Sequence, residues 1–353
     1  MNKLAARNYR KTEALTNEEI QREILSLVSS NQCDTYRNEL DYVLDSFSNL
    51  ISSSKFQGGY NDLYGVYQDE IKDTIRNIKE SVRLYLHGYL YHSFIRFNKR
   101  WDKMWRELFS KDAVTYIIQP GEVLYKIRKV ENESFKRSDF FHVPFNQRGK
   151  IGNNRFSISG YPCLYLGRSI YTCWEEMRRL SLSEIAAAGF HFQKPIRLLD
   201  LRITSDINSE EKEALTMFLL PYIIASSIRV HSDQALFKPE YIIPQLLLHS
   251  VIRNRKMNYY DGVIYTSTRR NNWFDDRGIE MFDNVAIPVM SNRSNNYCKV
   301  LASYISVTDP VYFEQEFLQG KIPLGVIGNR KYENTAFYAL ESNIKEKDFQ
   351  PII

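Results

Sequence analysis

The sequence predicts an α+β protein in which an all-helical amino-terminal domain precedes a domain of mixed helices and strands. All 11 prolines of the 353 residues lie at or after Pro120, and only four of the 15 glycines precede it. The first ~115 residues therefore contain little that interrupts helical hydrogen bonding. Beyond Pro120, short β-rich runs alternate with turns and a few helices. We predict two domains, at residues 1–116 and 117–353.

The helices of the amino-terminal domain are indicated by capping residues and by apolar residues at helical spacing. Thr16 begins a Thr-x-x-Glu capping box with Glu19, which predicts a helix start. Three further apolar stripes predict helices near residues 36–51, 63–82 and 94–108. The last of these contains the basic and aromatic stretch IRFNKRWDKMWR. We expect an amphipathic helix that docks its aromatic face and leaves its cations in water.

Strands of the second domain are indicated by the runs VLYKIRKV, PCLYLG, PIRLLDLRI and DGVIYTS. After PCLYLG, an apolar stripe predicts a helix that begins near Ser169. At about 100° per residue, Glu176 lies beside that stripe and Glu175 lies on the far side. We therefore expect Glu176 to face a cleft and Glu175 to face solvent.

Composition excludes several classes of protein. Hydrophobic residues at 43% and charged residues at 25% exclude a disordered or collagen-like chain. A net charge of +5 is too small to indicate nucleic-acid binding by itself. The longest charge-free stretch, residues 214–228, is shorter than the ~20 residues that cross a bilayer. Because the amino terminus also lacks an apolar signal region, we expect a cytoplasmic protein without a membrane span.

Cysteine and histidine spacing argues against disulfides and metal sites. The four cysteines are scattered, with no Cys-x-x-Cys pair and no nearby histidine cluster. His87 and His92 are five apart, which is the wrong spacing for two ligands on one helix face. We expect no metal cofactor.

Two strings in the second domain resemble the core motifs of the RES domain family, which is named for an Arg, a Glu and a Ser. The first is RFSISGYPCLYL, with an acidic residue 21 positions after its Arg, and the second is DGVIYTSTRR. The resemblance covers residues 121–288. It implies an ADP-ribosyltransferase-like fold that consumes NAD⁺, often as the toxin of a bacterial toxin–antitoxin pair.

Carried over by position, the family's Arg, Glu and Ser fall on Arg155, Glu176 and Ser267. Glu176 would stabilise the oxocarbenium-like sugar formed when the nicotinamide–ribose bond breaks. Arg155 would bind the diphosphate through its planar fork of donors. Tyr165 would stack on the nicotinamide ring and direct it with a hydroxyl hydrogen bond. Ser267 would orient a ribose or carboxamide group.

The early strand LYKIRK departs from the family pattern. Lys126 stands where the family carries an Arg, and Arg128 follows on the same strand face. Either cation can be the one that contacts the dinucleotide. Arg269 and Arg270, just past Ser267, could draw an anionic dinucleotide into the cleft.

The resemblance implies an NAD⁺ glycohydrolase or phosphorylase, and an ADP-ribosyltransferase acting on a protein or nucleic acid would use the same donor-side residues. A rival from another class is a non-enzymatic nucleic-acid- or partner-binding protein, which the Lys at position 126 motivates. The basic stretch at residues 95–106 and the clusters RNRK and TRR are the candidate nucleic-acid surface. We expect an inhibitory antitoxin or regulatory partner, and consider a homo-oligomer.

Overall fold

A computed structural model describes most of the chain. The described residues are 17–29, 31–53, 60–108, 114–131, 134–203, 210–255, 260–269, 274–290, 296–322 and 330–352. They pack as two units. The first unit takes its described residues from Met1–Val114 and Ile203–Asp233, and the second from Thr115–Arg202 and Gln234–Ile353. The predicted capping residue Thr16 lies outside the described residues.

Ten helices are present in the described residues. They are α1 (Asn17–Val28), α2 (Tyr36–Ser53), α3 (Tyr60–Leu86), α4 (Leu90–Leu108), α5 (Ile170–Glu176), α6 (Glu210–Ser227), α7 (Ile242–Asn254), α8 (Lys299–Ala302), α9 (Phe313–Leu318) and α10 (Ala336–Lys345). Short 3₁₀ turns connect several of them.

The described strands also number ten. They are β1 (Thr115–Ile118), β2 (Val123–Lys129), β3 (Cys163–Gly167), β4 (Ile185–Phe192), β5 (Ile196–Leu201), β6 (Gly262–Thr266), β7 (Asp283–Pro288), β8 (Ile305–Val307), β9 (Val311–Tyr312) and β10 (Gln350–Pro351). All ten belong to one sheet, in which nine follow the order β1-β5-β6-β7-β3-β2-β4-β8-β10 and β9 pairs with β4. Among the pairings of the described strands, only β5–β6 is parallel. The mixed sheet, preceded by helices, confirms the predicted α+β class.

Helix α6 belongs to the helical unit although it is distant in sequence from α1–α4. The Tyr222 ring meets the rings of Phe97 and Trp101 on α4, with centroids 5.5 Å and 5.0 Å away. Residues 217–228 are buried on every side, as expected of a helix without a polar face. The domain boundary drawn from the sequence assigns this segment to the second domain, whereas it packs with the first. Within the described residues, no helix is both long and apolar enough to span a bilayer.

Helix α4 is amphipathic as predicted, but one of its cations is not in water. Phe97 and Trp101 are buried on its apolar face. Arg100 is also buried, forms an ion pair with Glu70 and donates from Nε to Thr74 Oγ1 at 3.1 Å. The expectation of solvated cations is therefore wrong for Arg100, because α3 supplies a carboxylate beside it.

The turn from β3 into α5 positions the helix that carries Glu176. Ser169 is the N-cap, and its Oγ accepts a hydrogen bond from Thr172 N at 3.1 Å. Gly167 lies beneath the helix, where an added Cβ would come within 2.7 Å of Cys173 Sγ. The Ile170 N–H donates to Glu341 Oε1 of α10 at 2.7 Å. The first turn of α5 is thus fixed from three sides.

Candidate active site

The carboxylate of Glu176 is the point at which three parts of the chain converge. Its Oε1 accepts hydrogen bonds from Ser267 Oγ at 2.7 Å and from Asn284 Nδ2 at 2.8 Å. Its Oε2 lies 3.8 Å from Arg269 Nε. The side chain is 36% exposed, whereas Ser267 and Asn284 are buried. A fixed carboxylate therefore faces outward from a buried pair of donors.

Strand register explains why these side chains meet. Asn284 on β7 pairs with Gly167 on β3 and, on the other side, with Tyr265 on β6. Directly paired residues point to the same face of a sheet, and this is the face that α5 covers at Gly167. Ser267 follows β6, and its N–H donates to Phe282 O at 2.8 Å.

Arg155 is tied to the same segment after β6. Its Nη2 donates to Thr268 Oγ1 at 3.1 Å, and its guanidinium lies 5.1 Å from the centroid of the Tyr241 ring. Thr268 is next to Ser267, the donor to Glu176. Residues 267–269 therefore contact both Arg155 and Glu176, so the structure brings together the Arg, the Glu and the Ser of the motif.

Tyr165 supports the segment that carries Arg155. Its hydroxyl donates to Phe156 O at 2.8 Å. Burial raises the pKa of Tyr165 well above its ordinary value, so the phenol stays protonated and remains a donor. The directing hydrogen bond that we predicted for a ligand is thus made to the backbone beside Arg155 in this structure.

Lys126 and Arg128 hold a different segment of the domain. Lys126 Nζ donates to Phe141 O at 2.9 Å, and Arg128 donates to Asp139 O. Burial lowers the pKa of Lys126 to about 8. The Arg128 guanidinium also lies 4.7 Å from the centroid of the Phe135 ring. Both cations therefore fix the backbone near residues 135–141.

The register of β2 separates these cations from the carboxylate. Tyr125 pairs with Gly167, whose partner on the other side is Asn284. Lys126 and Arg128 alternate with Tyr125 and so point to the opposite face of the strand. The structure does not bring either cation to the group around Glu176.

The predicted environment of Glu175 is wrong. Glu175 is buried; it accepts a hydrogen bond from the Tyr171 hydroxyl at 2.6 Å and pairs with Arg179 at 2.9 Å. Helix α5 ends at Glu176, and Arg178 and Arg179 then adopt left-handed conformations with φ of 60° and 56°. Tyr171 and Arg179 lie four residues before and after Glu175, on the same side of the helix, and they cover its carboxylate.

Sequence reasoning missed three residues of this site: Asn284, Thr268 and Tyr241. Asn284 follows Asp283 at the start of the otherwise apolar strand DNVAIP and is 5% exposed. A polar side chain within such a strand is a signal of a buried hydrogen bond, although it does not identify the partner. Among the described residues, no group of three or more His, Cys, Asp or Glu is arranged to hold a metal ion.

Comparison with known proteins agrees with the motifs found in the sequence. Residues 124–287 match the family model described as RES domain. The chain is 31% identical over 263 residues to a Bacillus subtilis (strain 168) protein named "Putative toxin YopC". That alignment covers 69% of this chain and 59% of the relative's length. No solved structure matches. Downstream of its amino-terminal helices, the chain therefore contains a domain, at residues 124–287, that belongs to the RES domain family.

Proposed function

We propose that the RES domain binds NAD⁺ and cleaves its nicotinamide–ribose bond, with water or phosphate as the acceptor. The observation that carries this proposal is the outward-facing carboxylate of Glu176, which Ser267 and Asn284 hold through one oxygen. Arg155 is linked to the same segment through Thr268. A carboxylate for a sugar cation and a guanidinium for a diphosphate are what this substrate requires.

The chemistry assigned to Glu176 follows from the asymmetry of its hydrogen bonds. Both strong donors bind Oε1, whereas Oε2 has Arg269 Nε at 3.8 Å. Oε2 is then the oxygen that meets the ribose, where it stabilises positive charge as the bond to nicotinamide lengthens. Because Ser267 and Asn284 fix the carboxylate beforehand, little reorganisation is needed during the reaction.

The other side chains take binding roles. Arg155 and Arg269 attract and hold the diphosphate, since a guanidinium offers paired donors to phosphate oxygens. Tyr165 supplies a ring face for nicotinamide, while its hydroxyl holds the Phe156 carbonyl. Lys126 and Arg128 are assigned to the segment that they hold rather than to direct dinucleotide contact.

An enzyme that depletes NAD⁺ harms the cell that makes it. The RES domain and the relative named as a toxin support a toxin function. We further propose that an antitoxin or similar partner restrains the activity. Transfer of ADP-ribose to a protein or nucleic acid would use the same donor-side residues and is distinguished by the products.

The test compares NAD⁺ consumption and nicotinamide release by the wild type, Glu176→Gln and Glu175→Gln. We expect Glu176→Gln to lower kcat by ~10²-fold or more with NAD⁺ affinity retained, because its contribution is larger in the transition state. Glu175→Gln is the matched control, since its carboxylate is buried against Tyr171 and Arg179. We expect it to keep turnover and lose thermal stability.

The products identify the acceptor. Free ADP-ribose indicates water, ADP-ribose 1-phosphate indicates phosphate, and labelled macromolecule indicates transferase activity. The proposal is overturned if the wild type leaves NAD⁺ intact, or if Glu176→Gln consumes it as fast as the wild type. Salt-sensitive oligonucleotide binding without any turnover would instead support the non-enzymatic rival.

A further inference from the structure

The turn between α3 and α4 presents an unusual concentration of exposed apolar side chains. They are Leu86 (42% exposed), Tyr89 (55%), Leu90 (54%), Tyr91 (71%) and Ile95 (46%). We call these five residues the hairpin tip. They make up half of the ten large hydrophobic residues that are exposed in the described part of the chain. Scattered apolar residues are normal at a surface, whereas a cluster of this kind marks an interaction site.

The hairpin tip is held in place by hydrogen bonds between the two helices. Ser93 Oγ donates to Ser81 O at 2.7 Å, and Asn77 Nδ2 donates to Arg96 O at 2.9 Å. Gly88 closes the turn with φ of +83°, a conformation that favours glycine. The exposure of the five side chains is therefore built into a fixed helical hairpin.

The charges that the hairpin carries near its tip are mostly positive, and the carboxylate just before residues 81–101, Glu80, pairs with Arg83. From Ser81 to Trp101 the sequence contains no Asp or Glu but four Lys or Arg residues. Two of these cations pair with carboxylates on α3, since Arg83 donates to Glu80 at 2.8 Å and Arg100 is buried against Glu70. The other two, at positions 96 and 99, are exposed. Behind the apolar tip, α4 thus carries two exposed cations, Arg96 and Lys99, which we call the basic rim.

We propose that the hairpin tip docks on the surface of an anionic lipid bilayer. Aliphatic side chains enter the boundary between head groups and acyl chains, and Tyr89 and Tyr91 suit the same level because a tyrosine is apolar with a polar end. Arg96 and Lys99 lie one to two turns behind and meet the anionic head groups. This docking places the end of the hairpin among the head groups and requires no spanning helix.

The same observations disfavour two other occupants. In a two-fold dimer each tip would face its own copy, which would set two basic rims against each other. A protein partner that covers apolar residues around the end of a hairpin needs a concave site of matching shape, whereas a bilayer takes up a convex tip by displacing head groups. Charge and shape together therefore favour the lipid surface.

The test is co-sedimentation of the full chain with vesicles of phosphatidylcholine alone and of phosphatidylcholine with about one third phosphatidylserine. We expect binding to the anionic vesicles that weakens with salt. The double change Leu90→Ser, Tyr91→Ser should reduce partitioning about tenfold or more, since each buried methylene contributes to membrane affinity. Arg96→Gln with Lys99→Gln should reduce binding to anionic vesicles only.

The matched controls change equally exposed residues elsewhere. Leu236→Ser alters a leucine that is 96% exposed outside the hairpin, and Lys150→Gln removes an exposed cation. Both should bind like the wild type, and circular dichroism establishes that every variant is folded. The proposal is overturned if the wild type does not bind anionic vesicles, or if the tip variant binds as well as the wild type. Loss of a dimer on Leu90→Ser, without vesicle binding, would assign the tip to a second copy instead.

Discussion

Glu176 is oriented through a single oxygen, and this makes Asn284 as important to its position as Ser267. Both donors bind Oε1, at 2.8 Å and 2.7 Å, and both are buried, Asn284 on β7 and Ser267 just after the neighbouring strand β6. A carboxylate that is held by one donor can still rotate about its Cγ–Cδ bond. Two donors at one oxygen prevent this rotation and so fix the direction in which the second oxygen points. The second oxygen is then presented in one orientation.

Asn284→Ala is therefore expected to lower kcat for NAD⁺ cleavage by roughly tenfold while leaving the Kd for NAD⁺ near its wild-type value. The hydrogen bond that it removes orients the carboxylate and does not touch the diphosphate. Steady-state kinetics together with a binding titration measure the two effects separately.

The control for this change is Asn343→Ala. Asn343 Nδ2 donates to Glu316 Oε2 at 3.2 Å, so this variant also removes an asparagine that binds a glutamate. Asn343 lies on α10, and its variant should keep the wild-type kcat and the wild-type Kd for NAD⁺. If Asn284→Ala and Asn343→Ala had equal kcat values, the assignment of Asn284 as a positioning residue would be wrong.

The residues of the site were predictable to the extent that they lie in short motifs. Arg155, Glu176 and Ser267 could be found because each belongs to a recognisable string. Asn284 could not, since its partner is set by the pairing of β7 with β3, which no local pattern encodes. Glu175 was assigned to solvent because the apolar stripe of α5 was drawn without Tyr171, which is buried four residues before Glu175 and donates a hydrogen bond to its carboxylate.

At the scale of elements, the close approach of α5 to β3 depends on a residue without a side chain. A Cβ on Gly167 would lie 2.7 Å from Cys173 Sγ and 3.2 Å from Ser169 O. Gly167→Ala should therefore push the helix outward and lower the free energy of unfolding by about 1–3 kcal/mol. Urea denaturation measures this change.

Gly149→Ala is the matched control, because nothing lies within 4 Å of the added Cβ. We expect its unfolding midpoint to stay at the wild-type value. The displacement of α5 also moves Glu176, so Gly167→Ala should lose turnover in parallel with stability. Wild-type stability in Gly167→Ala would show that α5 does not pack against β3 as described.

The contact between α10 and α5 makes stability depend on pH. Glu341 Oε1 accepts from Ile170 N at 2.7 Å and from the Tyr332 hydroxyl at 2.5 Å. Burial is the largest cause of its shift and raises the pKa of Glu341 to about 7 from the ordinary 4.5. Because the folded state holds the proton of Glu341 more tightly than the unfolded state does, protonation of this group stabilises the fold. This stabilisation is fully present below pH 4.5 and is lost as pH rises through about 7.

Glu341→Gln keeps an acceptor for both donors and removes the titration. We expect the difference in unfolding free energy between variant and wild type to change by up to about 1.4 kcal/mol per pH unit in that window, in favour of the variant at higher pH. Denaturation at pH 5 and at pH 8 measures the difference. A difference that is the same at both pH values would contradict the raised pKa.

Sequence patterns predicted some helices and strands of the fold and missed others. Runs rich in β-branched and aromatic residues indicated β2, β3, β5 and β6, and apolar stripes indicated the helices of the amino-terminal unit. The strand β7 was not identified, although it pairs with both β3 and β6. Its short run begins with Asp283 and Asn284 and ends with Pro288, residue types that are depleted in strands, so only pairing reveals it.

At the scale of the whole molecule, the helical unit is discontinuous in sequence. Its last part, Ile203–Asp233, follows a long segment that belongs to the other unit. Arg229 Nη1 donates to Ser29 O at 2.9 Å, and His231 Nε2 lies 3.1 Å from Cys33 O, so this segment bonds to the beginning of the chain. The helical unit is therefore not complete until residue 233. Composition shifts along the chain cannot reveal such an arrangement, because α6 is flanked on both sides by sequence of the second unit.

A chain of residues 117–353 keeps α6 but loses the helices that cover it. Phe218 and Tyr222 are almost fully buried in the intact protein, and the rings of Phe97 and Trp101 supply part of that cover. Exposure of the buried apolar part of α6, residues 217–225, favours association. We expect the shortened chain to form large soluble aggregates or to precipitate, whereas the full chain elutes as a discrete species in size-exclusion chromatography.

The substitutions Phe218→Ser and Tyr222→Ser in the shortened chain should restore solubility. A shortened chain that is monodisperse without them, with wild-type NAD⁺ turnover, would show that α6 does not need the amino-terminal helices.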